Sequence, residues 1–211
     1  MAPEFPDPTS RNVLEPGCSR CPALVESRER ISWGNGSINA AVMIVGEAPG
    51  AGAPSADRWQ GGNWTGMAYT ARHSGRIIRD LFEGIGYSAT DLYVTNAVKC
   101  FPSDGAGSNR EPTAEERRTC FDHLLTELEQ VDPTVVVTTG KHATLSMLEH
   151  EGIDLDGFLE TVLDPIDCPT LGVTVLPLLH PAYQNIWLPR IGHDRESYRD
   201  AIDAMLTDLL S

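Results

Sequence analysis

The sequence predicts an α/β fold, a three-layer α/β/α arrangement around a central, mostly parallel four-stranded sheet. Three observations carry this expectation. Short apolar runs alternate along the chain with segments of helical spacing, the pattern of a parallel sheet covered on both faces. The first run, 40–46 (AAVMIVG), is continuously apolar, as a strand buried on both faces should be. Gly, Pro, Asn and His collect directly after the strands, in GEAPG (46–50), TNAVKC (95–100), TGKHA (139–143) and LHPAYQN (179–185). Ligands bind beyond the carboxyl ends of the strands in such sheets, so these four segments should converge on one site.

Each element follows from its own residues. After the first strand, 74–84 has Ile77, Ile78, Leu81 and Phe82 at helical spacing, and 91–98 (DLYVTNAV) reads as the second strand. Thr113-Ala-Glu-Glu116 forms a capping box that opens a helix over 114–130. Pro133 introduces a third strand at 134–139 (TVVVTT), and Gly140 leads into a short helix with Ala143, Leu145 and Leu148. The fourth strand is 173–179 (VTVLPLL), although Pro177 disfavours a central ladder position. A last helix, 195–210, presents Ala201, Ile202, Met205, Leu206 and Leu209 on one face. The segments 50–66 and 102–112 are irregular and follow strand ends, so both should overhang the same edge of the sheet.

A chain of 211 residues holds one domain with a sizeable core and is too short for two ordinary ones. Residues 18–211 are expected to form it, after a proline-rich, acidic and loosely ordered segment at 1–17. That segment has no basic-then-apolar pattern, and no apolar run reaches about 18 residues, which predicts a cytoplasmic protein without a membrane span. No repeat is visible, and a monomer is expected.

The charge balance speaks against a polyanionic partner. Thirty carboxylates oppose sixteen basic residues, giving −14, and only Lys99 and Lys141 are lysines. Nucleic-acid binders ordinarily carry basic surfaces. At about 1 M salt, however, the Debye length is about 3 Å and distant repulsion nearly vanishes. An acidic, lysine-poor surface suits a salt-loving host; it equally suits a protein that never meets a polyanion.

Of the five cysteines, Cys18-Ser-Arg-Cys21 is a C-x-x-C before the first strand, Cys100 follows the second strand and Cys120 lies in the next helix. Four soft thiolates suit zinc or an iron–sulfur cluster better than disulfides in a cytoplasmic chain. Spacing leaves zinc and iron–sulfur both open. Cys168, beside Pro169, reads as a structural thiol.

Together the runs C-S-R-C-P-A-L-V-E-S-R-E-R, V-G-E-A-P-G, T-N-A-V-K-C, N-R-E-P-T-A-E-E-R-R-T-C and H-P-A-Y-Q-N resemble the iron–sulfur uracil-DNA glycosylases, families 4 and 5 of that superfamily, collinearly from Cys18 to Asn185. Glu47 is similar to family 4. Asn63–Thr70, Pro112–Arg117 and HPAYQN are more similar to family 5. Arg72 stands where family 5 carries an acidic residue, and the basic-histidine insert of the DNA-crosslinking relatives is missing. The resemblance implies the uracil-DNA glycosylase-like fold, a [4Fe–4S] cluster on Cys18, Cys21, Cys100 and Cys120, and hydrolysis of the N-glycosidic bond of uracil in DNA as a step of base excision repair, leaving an abasic site.

It also assigns roles residue by residue. Base-flipping enzymes read an extruded base along its Watson–Crick edge. Asn96 matches the base-reading asparagine, whose amide offers a donor and an acceptor to uracil O4 and N3–H; by itself, an asparagine there equally caps a strand end. Tyr69 matches the aromatic residue on which the base stacks, where core packing is the ordinary alternative. His180 matches the donor to uracil O2, and a histidine before proline is otherwise as often structural. The other histidines read as surface or packing residues. Glu47 orients or deprotonates water and faces a cationic sugar, or else caps the following turn. Asn109 is a second water-positioning candidate, and the backbone at Gly46, Ala48 and Gly50 lines the pocket. Arg110, Arg72, Arg76 and the 181–190 loop should grip DNA, with Tyr183, Ile186, Trp187 or Leu188 as a wedge. The cluster is expected to staple DNA-facing loops, since hydrolysis needs no electrons. The partner is uracil-containing DNA, and no sliding-clamp motif is evident. Competing readings are a broader hypoxanthine or xanthine glycosylase, a non-catalytic iron–sulfur DNA-binding or redox module, and a small zinc-binding structural protein.

Overall fold

The computed structural model describes residues 11–55, 62–70, 73–88 and 90–211. Residues 1–10 of the expected N-terminal segment, and Arg72, lie outside the described residues. The chain order is α1 (Pro22–Ser27), β1 (Asn35–Gly36), β2 (Val42–Gly46), α2 (Ser74–Glu83), β3 (Leu92–Asn96), α3 (Ala114–Val131), β4 (Val135–Thr139), α4 (Lys141–Glu151), β5 (Ile166–Cys168), β6 (Val173–Leu178), α5 (Gln184–Trp187) and α6 (Arg195–Leu209).

The sheet has six strands in the order β1-β3-β2-β4-β6-β5, which corrects the expected count of four. The four expected strands form its parallel centre, while β1 and β5 are antiparallel edges. Those edges are two and three residues long, too short to show any periodicity in sequence. The central strands are buried on both faces. Val42, Ile44, Val94, Val135, Val137, Leu176 and Leu178 pack toward Ile78 and Phe82 of α2 and Tyr198, Ile202 and Leu206 of α6. Their alternates, including Met43, Val45, Tyr93, Val136 and Val175, pack toward α3 and α4.

Pro177 does occupy an interior strand, paired with Thr138. Its carbonyl accepts from Leu163 N (2.9 Å), and the N and C=O of one strand residue point the same way. Its missing donor therefore faces the β5 side, where pairing has already ended at Val175, and no ladder bond is lost. The capping box forms as expected: Glu116 N donates to Thr113 Oγ1 (3.1 Å) and Thr113 N to Glu116 Oε2 (2.8 Å). Within 11–17, Asn12 is tied to the body of the domain. Asn12 N donates to Gly34 O, and its side chain to Tyr93 Oη and Gln130 Oε1.

Candidate active site

β2 lies between β3 and β4, so the chain leaves it first to one side and later to the other. That reversal opens a crevice beyond the carboxyl ends of the strands. A cavity of about 290 Å³ sits there, walled by Gly46–Gly50, Tyr69, Asn96, Asn109, Thr139 and His180–Tyr183 among others. The strand-end segments GEAPG, TNAVKC and LHPAYQN do converge, and TGKHA contributes its first residue, Thr139.

Asn96 ends β3 and is 4% exposed, and its Nδ2 is buried without a hydrogen-bond partner. A buried unpaired amide costs about 1–3 kcal/mol, which a ligand would recover. Gly46, opposite Asn96 in the ladder, leaves the necessary room. A Cβ there would lie 2.5 Å from Asn96 Oδ1 and 2.8 Å from Tyr69 Oη.

Tyr69 has a left-handed backbone at φ 57°. Its hydroxyl shares a 2.7 Å hydrogen bond with Thr139 Oγ1, its carbonyl accepts from Arg79 Nη1 (2.9 Å), and burial raises its phenol pKa. A tyrosine in that conformation, tied at both ends, is held to line the cavity rather than to fill the core alone.

His180 follows β6. Its Nδ1 accepts from Ala182 N at 3.2 Å, so in the neutral ring Nε2 carries the proton and is the available donor. Burial, helped by the nearby His73 and His142, lowers its pKa to about 4, leaving it neutral at pH 7. Glu47 is pushed the other way, up to about 7, by burial and by the charge of Glu111, with Arg117 opposing.

Asn109 uses both ends of its amide on the 49–51 loop: Oδ1 accepts from Ala51 N and Nδ2 donates to Pro49 O, each at 3.2 Å. Arg110 is held by Glu116, with Nη1 and Nη2 on Oε2 and Oε1 at 2.7 and 2.5 Å. Of the wedge candidates, Tyr183 and Ile186 are exposed (54% and 57%), whereas Leu188 is 3% exposed. Leu188 belongs to the core, a correction to its expected role, because the turn at 188–191 packs it inward. Trp187 is partly buried, with the Arg190 guanidinium 4.5 Å over its ring.

Sequence reasoning gave Thr139 no role of its own within TGKHA, and it missed Glu111 and the Arg117–His142 contact. Glu111 sits inside the NREP run already singled out, but its reach toward Glu47 and His142 Nε2 (3.1 Å) depends on the chain's path.

A second site lies beside this cavity. Cys18, Cys21, Cys100 and Cys120 line one space with Leu24, Ile31, Lys99 and His123. Arg28 Nη1 donates to Cys100 Sγ and Lys99 N to Cys120 Sγ, both at 3.3 Å, and His123 Nε2 is 3.4 Å from Cys18 Sγ. Among the described residues, no three of these sulfurs lie within 4.8 Å of one another, although Glu15, Cys18 and His123 do offer three such donors. Ala48, on the cavity's rim, packs against the same cysteine cluster.

Comparison with known proteins agrees with this geometry. The family model described as the uracil DNA glycosylase superfamily matches residues 33–206. The type-4 uracil-DNA glycosylase of Thermotoga maritima is 29% identical over 166 residues, 79% of this chain and 77% of that protein. The type-5 uracil-DNA glycosylase of Pyrobaculum aerophilum is 32% identical over 197 residues, 80% of each chain. A type-4 enzyme of Saccharolobus solfataricus is 27% identical over 168 residues, 78% of this chain and 71% of its own length. With a matching family model over most of its length, this chain belongs to the uracil DNA glycosylase superfamily.

Proposed function

We propose that this protein hydrolyses the N-glycosidic bond of uracil in DNA by flipping the nucleotide into the strand-end cavity, leaving an abasic site. The observation that carries the reading is the buried, unpartnered Nδ2 of Asn96 in that cavity. Uracil O4 accepts from this amide while N3–H donates to Oδ1, a pattern that cytosine, with its N4 amino donor and N3 acceptor, reverses. Tyr69, fixed through Thr139, offers its ring to the base, a contact typically contributing about 1–3 kcal/mol.

As the bond breaks, negative charge gathers on uracil O2. A neutral His180 donating from Nε2 stabilises it without the cost of deprotonating an imidazolium. Glu47, titrating near neutrality, orients water and faces the cationic sugar. Asn109 serves by shaping the 49–51 loop. The exposed Tyr183 and Ile186 support a wedge role, and exposed Arg76 is a phosphate contact; Arg110, neutralised by Glu116, contributes mainly through its position.

The four thiols of Cys18, Cys21, Cys100 and Cys120 line one space, as the four ligands of a [4Fe–4S] cluster must. When bound, such a cluster would cross-link the turn that enters α1, the loop after β3 and α3. Hydrolysis itself moves no electrons, so the residues of the strand-end cavity carry the reaction.

No helix among the described residues is long and apolar enough to cross a membrane. The test is a panel of uracil, hypoxanthine and xanthine in single- and double-stranded oligonucleotides, run in dilute and molar salt because of the −14 charge. Uracil release is expected. Release of purine lesions at comparable rates would move the assignment to the broader deaminated-base reading, and no release of any base would overturn the enzyme.

A further inference from the structure

Between the base cavity and the cysteines lies an ion pair, Lys99–Glu127, with both side chains buried (1% and 0% exposed). Every polar atom in it is used. Lys99 Nζ donates to Thr95 Oγ1 (2.7 Å), Asn96 O (2.6 Å) and Glu127 Oε2 (2.5 Å), which exhausts its three protons. Glu127 also accepts from Thr95 Oγ1 and Tyr93 Oη (2.7 and 3.1 Å) and from Gly34 N (3.2 Å).

Stability alone does not explain such a pair, because apolar residues of similar volume commonly replace buried ion pairs at no loss. Its placement is more informative. β1 covers only Val94 and Tyr93 of β3, so no strand continues beside Asn96 on that edge. The Asn96 carbonyl is held there by Lys99 Nζ instead. On the other edge, Ala97 N donates to Gly46 O (2.7 Å). The backbone at Asn96 is therefore clamped from both sides, while its side-chain amide has no protein partner at Nδ2 to hold it in the cavity.

We propose that Lys99 and Glu127 are a positioning pair that fixes the backbone of Asn96 and so aims its amide at the flipped base. This rests on the reading of the cavity as a uracil site. Neither residue touches the base. Lys99 meets the cysteine site through its backbone amide, which any residue at 99 except proline supplies, and through its charge, which favours the Cys120 thiolate.

The test is the double variant Lys99→Met/Glu127→Leu, which keeps volume and removes the clamp. We expect kcat/KM on uracil-containing DNA to fall by about 10²-fold, the order seen when a reacting group is misplaced by an ångström. Iron per chain and affinity for abasic-site DNA, which has no base to read, should match the parent, whereas the thermal midpoint should fall because Gly34 N, Thr95 Oγ1 and Tyr93 Oη lose their acceptor. Unchanged excision, or loss of iron in step with excision, would overturn the proposal. If the double variant does not fold, Glu127→Gln keeps the shape and weakens the pair, with an expected loss of about tenfold. A crystal structure of the variant separates this idea from the functional reading. A displaced Asn96 amide supports the clamp even if the parent proves inert on uracil, and an undisplaced amide refutes the clamp even if the parent is active.

Discussion

The imidazole of His180 lies against the backbone of Gly140: a Cβ on Gly140 would come within 3.0 Å of His180 Cβ and 3.3 Å of Cδ2. Gly140 joins β4 to α4 at φ 97°, a conformation that L side chains rarely adopt. The loop that follows one strand thus sets the position of the histidine that follows its neighbour. Gly140→Ala should cost about 1 kcal/mol or more of stability from backbone strain. It should also lower kcat by about tenfold through displacement of His180, with a smaller effect on DNA affinity. Chemical denaturation and single-turnover excision read the two effects separately; a stability loss with unchanged kcat would break the link to His180.

His180 gives a stability signature in acid. Its folded pKa of about 4 lies below the ordinary histidine value, so the unfolded chain takes up this proton first as pH falls. The stability that its neutral form contributes is complete above about pH 6.5 and is lost progressively down to about pH 4. His180→Asn should remove this part of the acid dependence, read as the difference in unfolding free energy between the two proteins from pH 7 to 4. The same variant should lose about 10²–10³-fold in kcat, as removal of a fixed donor to a developing oxyanion does. A loss confined to KM would remove His180 from the chemistry.

Glu47 runs the opposite way. Its folded pKa of about 7 exceeds the ordinary carboxylate value, so ionisation opposes folding, and stability is lost as pH rises from about 4.5 through 7. Glu47→Gln should therefore be more stable than the parent above pH 7, by on the order of 1 kcal/mol. It should also be slower, and the rise in excision rate through neutrality expected of the parent should flatten. An unchanged pH–rate profile would show that the limb near 7 belongs to another group.

The five cysteines divide four to one. Cys120→Ala should lower iron content, visible absorbance and thermal midpoint together. Cys168 is fully buried against the α3–α4 face of the sheet, away from the other four. Cys168→Ala should retain iron and cost only about 1 kcal/mol for the small cavity. Iron loss in the Cys168 variant would overturn the division.

The sequence by itself determined the alternation of elements, the four parallel strands, the capping box at Thr113 and the strand ends that meet at the site. These are local matters: periodicity, caps and apolar runs are written over a few consecutive residues, and the parallel topology then places every strand end on one edge. It also singled out Glu47, Tyr69, Asn96 and His180, which line one cavity, because their motifs are contiguous. Only the tertiary structure decided the rest. The edge strands β1 and β5 are too short to carry a pattern and exist because a neighbour pairs with them. Leu188 turns inward and Ile186 outward through a packing choice one turn long. Arg110 is held by Glu116, and Lys99 meets Glu127 from 28 residues away. The electrostatics of the site likewise depend on burial and on charges brought from distant segments, such as Glu111 near Glu47 and His73 near His180. Protonation follows from neighbours in space, and those are fixed only once the sheet has brought its strand ends together.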